Sequence, residues 1–371
     1  MDAFGALIGG KWEAGAGAAL RSSNPARPSE VVFDGREASL QQVQRAVAAA
    51  RGAFAPWAGW EIERRAGALR RFATIASARV EDLTRAIQRE TGKATWDARA
   101  EAQLIAAKVE ITLEEGPNAG RSRVAAFEVA MAPTKVGRCE FRPHGVMAVV
   151  GPFNFPAHLP NGHIVPALLM GNTVVFKPSD KTPAVGVLLA ELLELALQAE
   201  GAPPGVLNLV QGGPGVATRL VAGPTDIDGV LFTGSWSVGR RIMEANLDEP
   251  GRLLALEMGG NNAAVIMPDA DLVQAVVECV RCAFISSGQR CTCTRRVLVH
   301  EAVADRVISG IVRAAKELVV GDPASQSPVF MGPVVSQAAR DAVLEAQAAM
   351  AKGGAKVHLA CRAVGGGTGS G

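Results

Sequence analysis

Apolar residues recur at helical spacing over residues 40–58 and 61–92. Val43, Val47 and Ala50 share one face of the first run, and Leu69, Phe72 and Ile75 one face of the second. After a short strand-like start, the first third of the chain is expected to be largely helical. The texture changes from His144 onward. Residues 146–150, 173–176, 206–210, 229–232, 253–256 and 263–266 are short apolar runs, several apolar on both faces, as strands of a parallel sheet covered by helices are. Residues 183–200, 214–222 and 237–247 read as helices between them. The resulting β-α-β series predicts an α/β fold with a doubly wound parallel sheet, and a dinucleotide is the natural occupant of its strand ends. Beyond Gly260 a helix (269–285), a strand (296–300) and two helices (301–319 and 336–352) follow. The final residues, 365–371, are nearly all glycine and serine and form no element.

At 371 residues the chain exceeds what one hydrophobic core organises, so two domains are expected. Its 38 basic against 36 acidic residues leave a formal charge of +2, too little to imply a nucleic-acid or anionic-membrane partner. The N-terminal residues lack a basic region followed by an apolar core, and no apolar run is long enough to span a bilayer, so a cytoplasmic location is expected. Six cysteines are too sparse for a disulfide framework. Four of them, Cys279, Cys282, Cys291 and Cys293, cluster as C-x-x-C followed by C-x-C, which raises a structural zinc site as one reading. The helical texture around Cys279 and Cys282 favours buried packing thiols instead, and no metal is expected.

Two segments carry chemistry. Glu257 lies in Leu256-Glu257-Met258-Gly259-Gly260-Asn261-Asn262, and Cys291 in Ser286-Ser287-Gly288-Gln289-Arg290-Cys291-Thr292-Cys293. Each sits among glycines and small residues after an apolar stretch, where a side chain is presented at a cleft; one suits a thiolate nucleophile and the other its base. Gly234, Ser235, Trp236, Ser237, Val238 and Gly239 leave a strand and enter a helix, so backbone N–H groups and a hydroxyl can meet a phosphate there. The G-x-G-x-x-G fingerprint of ordinary Rossmann dehydrogenases is absent. Lys177, Ser179 and Asp180 follow the strand at 173–176, where a lysine and a carboxylate suit ribose hydroxyls, although a solvated turn reads similarly. Asn154, in Gly151-Pro152-Phe153-Asn154-Phe155-Pro156, is either a turn residue or a fixed amide donor for an oxyanion.

In order and in wording these segments resemble the aldehyde dehydrogenase superfamily. The resemblance also takes in Ile8-Gly9-Gly10-Lys11-Trp12, Asn24-Pro25 and residues 171–179. It implies Cys291 as nucleophile, Glu257 as general base, Asn154 as an oxyanion donor beside the Cys291 N–H, and Lys177, Ser235 and Gly239 as contacts of NAD. It further implies an NAD-binding domain of residues 1–120 and 144–257, a bridging β segment at 121–143 used in homo-oligomers, and a catalytic domain at 258–371. Family chains of this type continue for about a hundred residues more, and their Glu-x-Phe-Gly-Pro motif is not found in this sequence. The catalytic domain is therefore expected to be truncated at its C-terminus, with weak NAD binding, a tendency to aggregate and little turnover as consequences. Residues 142–146 and 158–168 resemble a subgroup that oxidises N-succinylglutamate 5-semialdehyde in arginine breakdown. Another small semialdehyde, or an inactive family member, is the alternative.

Overall fold

The computed structural model describes residues 4–116, 120–222 and 226–364. They form two compact units. One comprises Met1–Ser22, Val32–Ala86 and Arg99–Met258; the other comprises Ser23–Val31, Ile87–Ala98 and Gly259–Gly371.

The strands of the chain are β1 (Ala6–Ile8), β2 (Lys11–Glu13), β3 (Ala19–Asn24), β4 (Arg27–Arg36), β5 (Phe127–Ala132), β6 (Lys135–Cys139), β7 (Val146–Val150), β8 (Thr173–Lys177), β9 (Leu207–Val210), β10 (Gly229–Gly234), β11 (Leu253–Met258), β12 (Asn262–Ile266) and β13 (Thr294–Val299). The helices are α1 (Leu40–Ala58), α2 (Ile62–Ala78), α3 (Val80–Thr91), α4 (Thr95–Leu113), α5 (His158–Leu169), α6 (Pro183–Ala199), α7 (Pro214–Val221), α8 (Trp236–Glu244), α9 (Leu272–Phe284), α10 (Ala304–Lys316) and α11 (Gln337–Lys352).

A seven-stranded sheet in the order β11-β10-β7-β8-β9-β1-β2 organises the first unit. The five strands from β11 to β9 are parallel, as the β-α-β pattern predicts. β1 adds to β9 antiparallel and β2 to β1, so the sheet is mixed at one edge, a feature the apolar runs do not announce. Every residue of β7, β8 and β9 is buried, which explains why these strands read as unbroken apolar runs. Val146, Ala148, Val150, Val175 and Val230 meet Val43, Ala46 and Ala50 of α1 in one core cluster. The helical run at 61–92 is interrupted at Arg79, which has φ −110° and donates its N–H to Ala76 O. Its carbonyl accepts from Leu83 N, so the same residue closes α2 and opens α3. The segment expected to bridge subunits holds the antiparallel pair β5–β6, with Phe127, Val129, Met131 and Val136 exposed.

In the second unit β12 and β13 are parallel, and Ile266, Cys279, Val303 and Val307 form the core between this pair and helices α9 and α10. Two helices here start later than their apolar spacing suggests. Asp271 caps α9, its Oδ1 accepting from Val273 N (2.9 Å) and Gln274 N (3.1 Å). A short 3-10 turn at Glu301–Val303 precedes α10.

Candidate active site

Lys177 ends β8, in register with Val150 of β7, so its side chain emerges at the carboxyl edge of the parallel strands. It is buried, and Nζ donates to Pro178 O (2.7 Å) and Gly212 O (2.8 Å). An ammonium has three donors, so two are fixed by the chain and one remains. Glu37, which follows β4, accepts from Gly213 N at 2.8 Å. Burial pushes Lys177 down to about 8, opposed by the carboxylates of Asp180 and Glu37. Ser179 is also buried and its Oγ accepts from Lys181 N at 3.2 Å. A lysine, two carboxylates and a hydroxyl therefore gather at one strand edge. Only the Lys177–Asp180 pair was legible locally; Glu37 arrives from a distant segment, with no motif around it.

Because the folded value of Lys177 lies below that of an unfolded lysine, its charge opposes folding in full below pH 8. That cost lifts as pH rises from about 8 toward the unfolded value near 10.4. Lys177→Met should remove this slope. Thermal melts of the two proteins from pH 7 to 10.5 should show the unmutated protein gaining stability relative to the variant; parallel curves would contradict it.

Ser235 caps α8, its Oγ accepting from Val238 N at 3.4 Å and lying 3.1 Å from Ser237 Oγ. Ser235, Trp236, Ser237 and Val238 are exposed, so the first-turn N–H groups and the positive end of the helix face outward. Gly239 is buried, and a Cβ there would collide with the thioether of Met258 on β11. The helix therefore sits close upon the strand that carries Glu257. A phosphate suits this exposed helix start, and ribose hydroxyls suit the Lys177 edge, so the residues present fit a dinucleotide.

Asn154 lies in the loop after β7, and its Oδ1 accepts from Phe155 N at 3.1 Å, leaving Nδ2 as the donating end of the amide. Helix α5 starts just beyond, anchored by buried Glu101 of α4, whose Oε1 accepts from Ala157 N (3.0 Å) and His158 N (3.1 Å). Glu257 on β11 is exposed and pairs in register with Thr233 of β10. Thr233 Oγ1 lies 2.9 Å from Nε2 of His163 on α5. Asn154, Glu257 and the cofactor-binding candidates all belong to the first unit.

Cys291 belongs to the second unit. It follows three successive residues in the left-handed region, Ser286 (φ 53°), Ser287 (φ 55°) and Gly288 (φ 72°). Two of these are not glycine, and such a conformation costs on the order of 1–3 kcal/mol each unless the surroundings hold it. Ser286 Oγ donates to buried Asp97 at 2.7 Å and Ser287 Oγ donates to Gly332 O at 2.7 Å. Gln289 Oε1 accepts from Val335 N at 2.9 Å. Cys291 and Thr292 then form a turn closed by Cys293 N donating to Arg290 O at 3.3 Å. Asn262 Nδ2 donates to both Cys291 O (2.7 Å) and Cys293 O (3.0 Å). Cys291 is consequently exposed on a turn pinned from both sides, whereas Cys293 is buried at 1% exposure with its Sγ toward Ile285 O. Among the described residues no group of three or more His, Cys, Asp or Glu is placed to hold a metal ion.

Ser286→Ala should destabilise the second unit, because Asp97 is 4% exposed and loses a buried donor, at about 1–3 kcal/mol. Urea unfolding reads this directly, and an unchanged midpoint would show that the bond holds nothing. Neither Ser286 nor Asn262 was given a role from the sequence, although both stand inside the two motifs. The groups they meet, the Asp97 carboxylate and the carbonyls of Cys291 and Cys293, are remote in the chain.

The Aldehyde dehydrogenase family profile matches residues 12–370. N-succinylglutamate 5-semialdehyde dehydrogenase of Paraburkholderia xenovorans is 45% identical over 355 residues, spanning 95% of this chain and 70% of the relative. Among solved structures, an NADP-dependent enzyme of E. coli superposes with a TM-score of 0.87 at 31% identity, covering 95% of this chain and 72% of the other. An NAD-dependent benzaldehyde dehydrogenase from Corynebacterium glutamicum superposes with a TM-score of 0.84 at 31% identity, covering 95% and 75%. With the parallel sheet, the helix-capping serine loop and the glutamate and cysteine motifs all in place, the chain belongs to the aldehyde dehydrogenase family.

Proposed function

We propose that the protein oxidises N-succinylglutamate 5-semialdehyde to N-succinylglutamate with NAD, through a thioester on Cys291. The observation that carries the chemistry is the exposed Cys291 on a turn that Asn262 holds by two carbonyls. The Cys291 thiolate adds to the aldehyde carbonyl, forming the S–C bond and an alkoxide. The Asn154 amide and the Cys291 N–H are assigned to that oxygen as hydrogen-bond donors. When bound, NAD accepts the hydride that the collapsing adduct releases. Glu257 then takes a proton from the water that attacks the thioester; the carboxylic acid leaves and Cys291 is restored.

The substrate rests on the relatives, 43–46% identical to this chain and named for that semialdehyde, together with the His158–Leu168 wording. The test is NADH formation from N-succinylglutamate 5-semialdehyde beside unsuccinylated and neutral aldehydes. The succinylated compound should show the highest kcat/KM; a neutral aldehyde equal to it would overturn the assignment. Homo-oligomer formation is assigned to the exposed apolar face of β5–β6, and solution mass before and after Met131→Asp tests it.

NAD is favoured over NADP by the carboxylates of Asp180 and Glu37 around Lys177, since a 2′-phosphate would meet two like charges. Efficiency with NADP should be lower by at least roughly tenfold, and Asp180→Ser should narrow the gap. Equal efficiency with both cofactors would contradict this.

A further inference from the structure

Helix α4 brings a half-buried lysine against the accessible side of α5. The Cε of Lys108 lies 3.8 Å from the point that a Cβ on Gly162 would occupy. Apart from the adjoining residues and the helix's own backbone, no other atom comes within 4 Å of that point, so the missing side chain leaves open room beside the lysine. Gly162 lies in the interior of α5 without a positive φ, where glycine weakens a helix relative to alanine. What it contributes is the room. The helix positions that would supply a counter-ion, three and four residues from Lys108, hold Leu104, Ile105, Ile111 and Thr112. Glu101, two turns earlier, accepts from Ala157 N and His158 N. Among the described residues the Lys108 ammonium has no carboxylate or carbonyl partner. A half-buried cation in that state gains from any carboxylate that enters. We propose that Lys108 is a specificity-determining residue, its ammonium holding a carboxylate of the aldehyde substrate in the room that Gly162 leaves. This rests on the reading that the substrate is an acidic semialdehyde.

The gap adjoins the groups assigned to the reacting carbonyl, all within the first unit. Gly162 is followed by His163, whose Nε2 lies 2.9 Å from Thr233 Oγ1, and Thr233 pairs in register with Glu257. Burial, opposed by Glu257 and aided by Lys108, keeps the His163 imidazole below the ordinary histidine value, so both charges stand near enough to act on one ring. Glu257 repels a substrate carboxylate and Lys108 attracts it. An aldehyde with an acid at its far end is thereby oriented, the acid toward Lys108 and the carbonyl toward Asn154 and Glu257. A neutral aldehyde takes nothing from the lysine and leaves it unpaired, which discriminates against it.

Lys108→Met keeps most of the stem without the charge, and Lys108→Arg restores a charge. In Lys108→Met, kcat/KM for N-succinylglutamate 5-semialdehyde should fall by about 10–100-fold, with KM rising and kcat nearly unchanged. Hexanal should stay within about twofold in the same protein, and Lys108→Arg should recover most of the loss. Calorimetric binding of N-succinylglutamate reads the contact without turnover: it should weaken in Lys108→Met, and also in Gly162→Leu, which fills the room and leaves the lysine in place. N-acetylglutamate 5-semialdehyde tells which acid is held. A loss like that of the succinylated compound assigns the glutamyl carboxylate to Lys108, and no loss assigns the succinyl one. Equal losses for the acidic aldehyde and hexanal, the mark of a structural lysine, would overturn the proposal, as would unchanged binding of N-succinylglutamate in Lys108→Met. The two readings fail separately. If the unmutated protein prefers hexanal, the acidic substrate is wrong; if it prefers the succinylated aldehyde and Lys108→Met keeps that preference, only the present inference falls.

Discussion

Cys291→Ala is expected to abolish aldehyde-dependent NADH formation, together with any ester hydrolysis that depends on the same thiol. Loss of a covalent nucleophile removes the entire route, so the fall should reach the detection limit, on the order of 10⁴-fold or more. The one thiol close enough in sequence to replace it is Cys293, and the fold rules that out: it is 1% exposed and lies beneath the turn. Cys291 is exposed, and its carbonyl, not its side chain, is what Asn262 holds. Removing Sγ therefore leaves the turn intact. Circular dichroism and thermal melting should match the unmutated protein while turnover vanishes. Substantial turnover by a folded Cys291→Ala protein would place the nucleophile elsewhere.

Glu257→Gln should divide the reaction instead of stopping it. Glutamine has nearly the same shape and still fits the exposed position opposite Thr233 on the sheet, so acylation and one equivalent of NADH per active site should persist. Water attack on the thioester then lacks its base, and steady-state turnover should fall by about 10²–10⁴-fold. Stopped-flow absorbance separates the two phases. A vanished burst would give Glu257 a part in acylation, and an undiminished steady state would remove it from hydrolysis.

The inner parallel strands β7, β8 and β9 were legible because burial on both faces leaves an unmistakable residue pattern: Val146-Met147-Ala148-Val149-Val150 has no polar position to spare. The antiparallel placement of β1 and β2 beside β9 was not, because three-residue strands carry too few side chains to show how they pair. The break at Arg79 is hidden in the sequence for a related reason. No proline or glycine marks it, and the apolar stripe continues through it from Ile75 to Leu83.

The site divides in the same way. Lys177, Asp180, Ser235 and Glu257 stand at strand ends, where local sequence reports position, and the structure finds them there. Glu37 beside Lys177, and His163 against Thr233, are products of topology: 140 and 70 residues separate the partners, by their numbers in the chain. His163 was visible only as a subgroup marker, since a histidine within a helix has ordinary explanations. The left-handed serines were hidden too, because serine has no special claim on positive φ; Asp97 and Gly332 supply the bonds that Ser286 and Ser287 need.

The central claim is a thioester on Cys291 that Glu257 helps water to open. Intact-protein mass spectrometry of the Glu257→Gln protein, quenched in acid after one turnover with NAD and N-succinylglutamate 5-semialdehyde, tests it most directly. The account predicts one added N-succinylglutamyl group per chain, located on the peptide containing Cys291, released by hydroxylamine and absent when NAD is omitted. An unmodified chain after a full NADH burst, or an acyl group on Cys293 or any other residue, would contradict it.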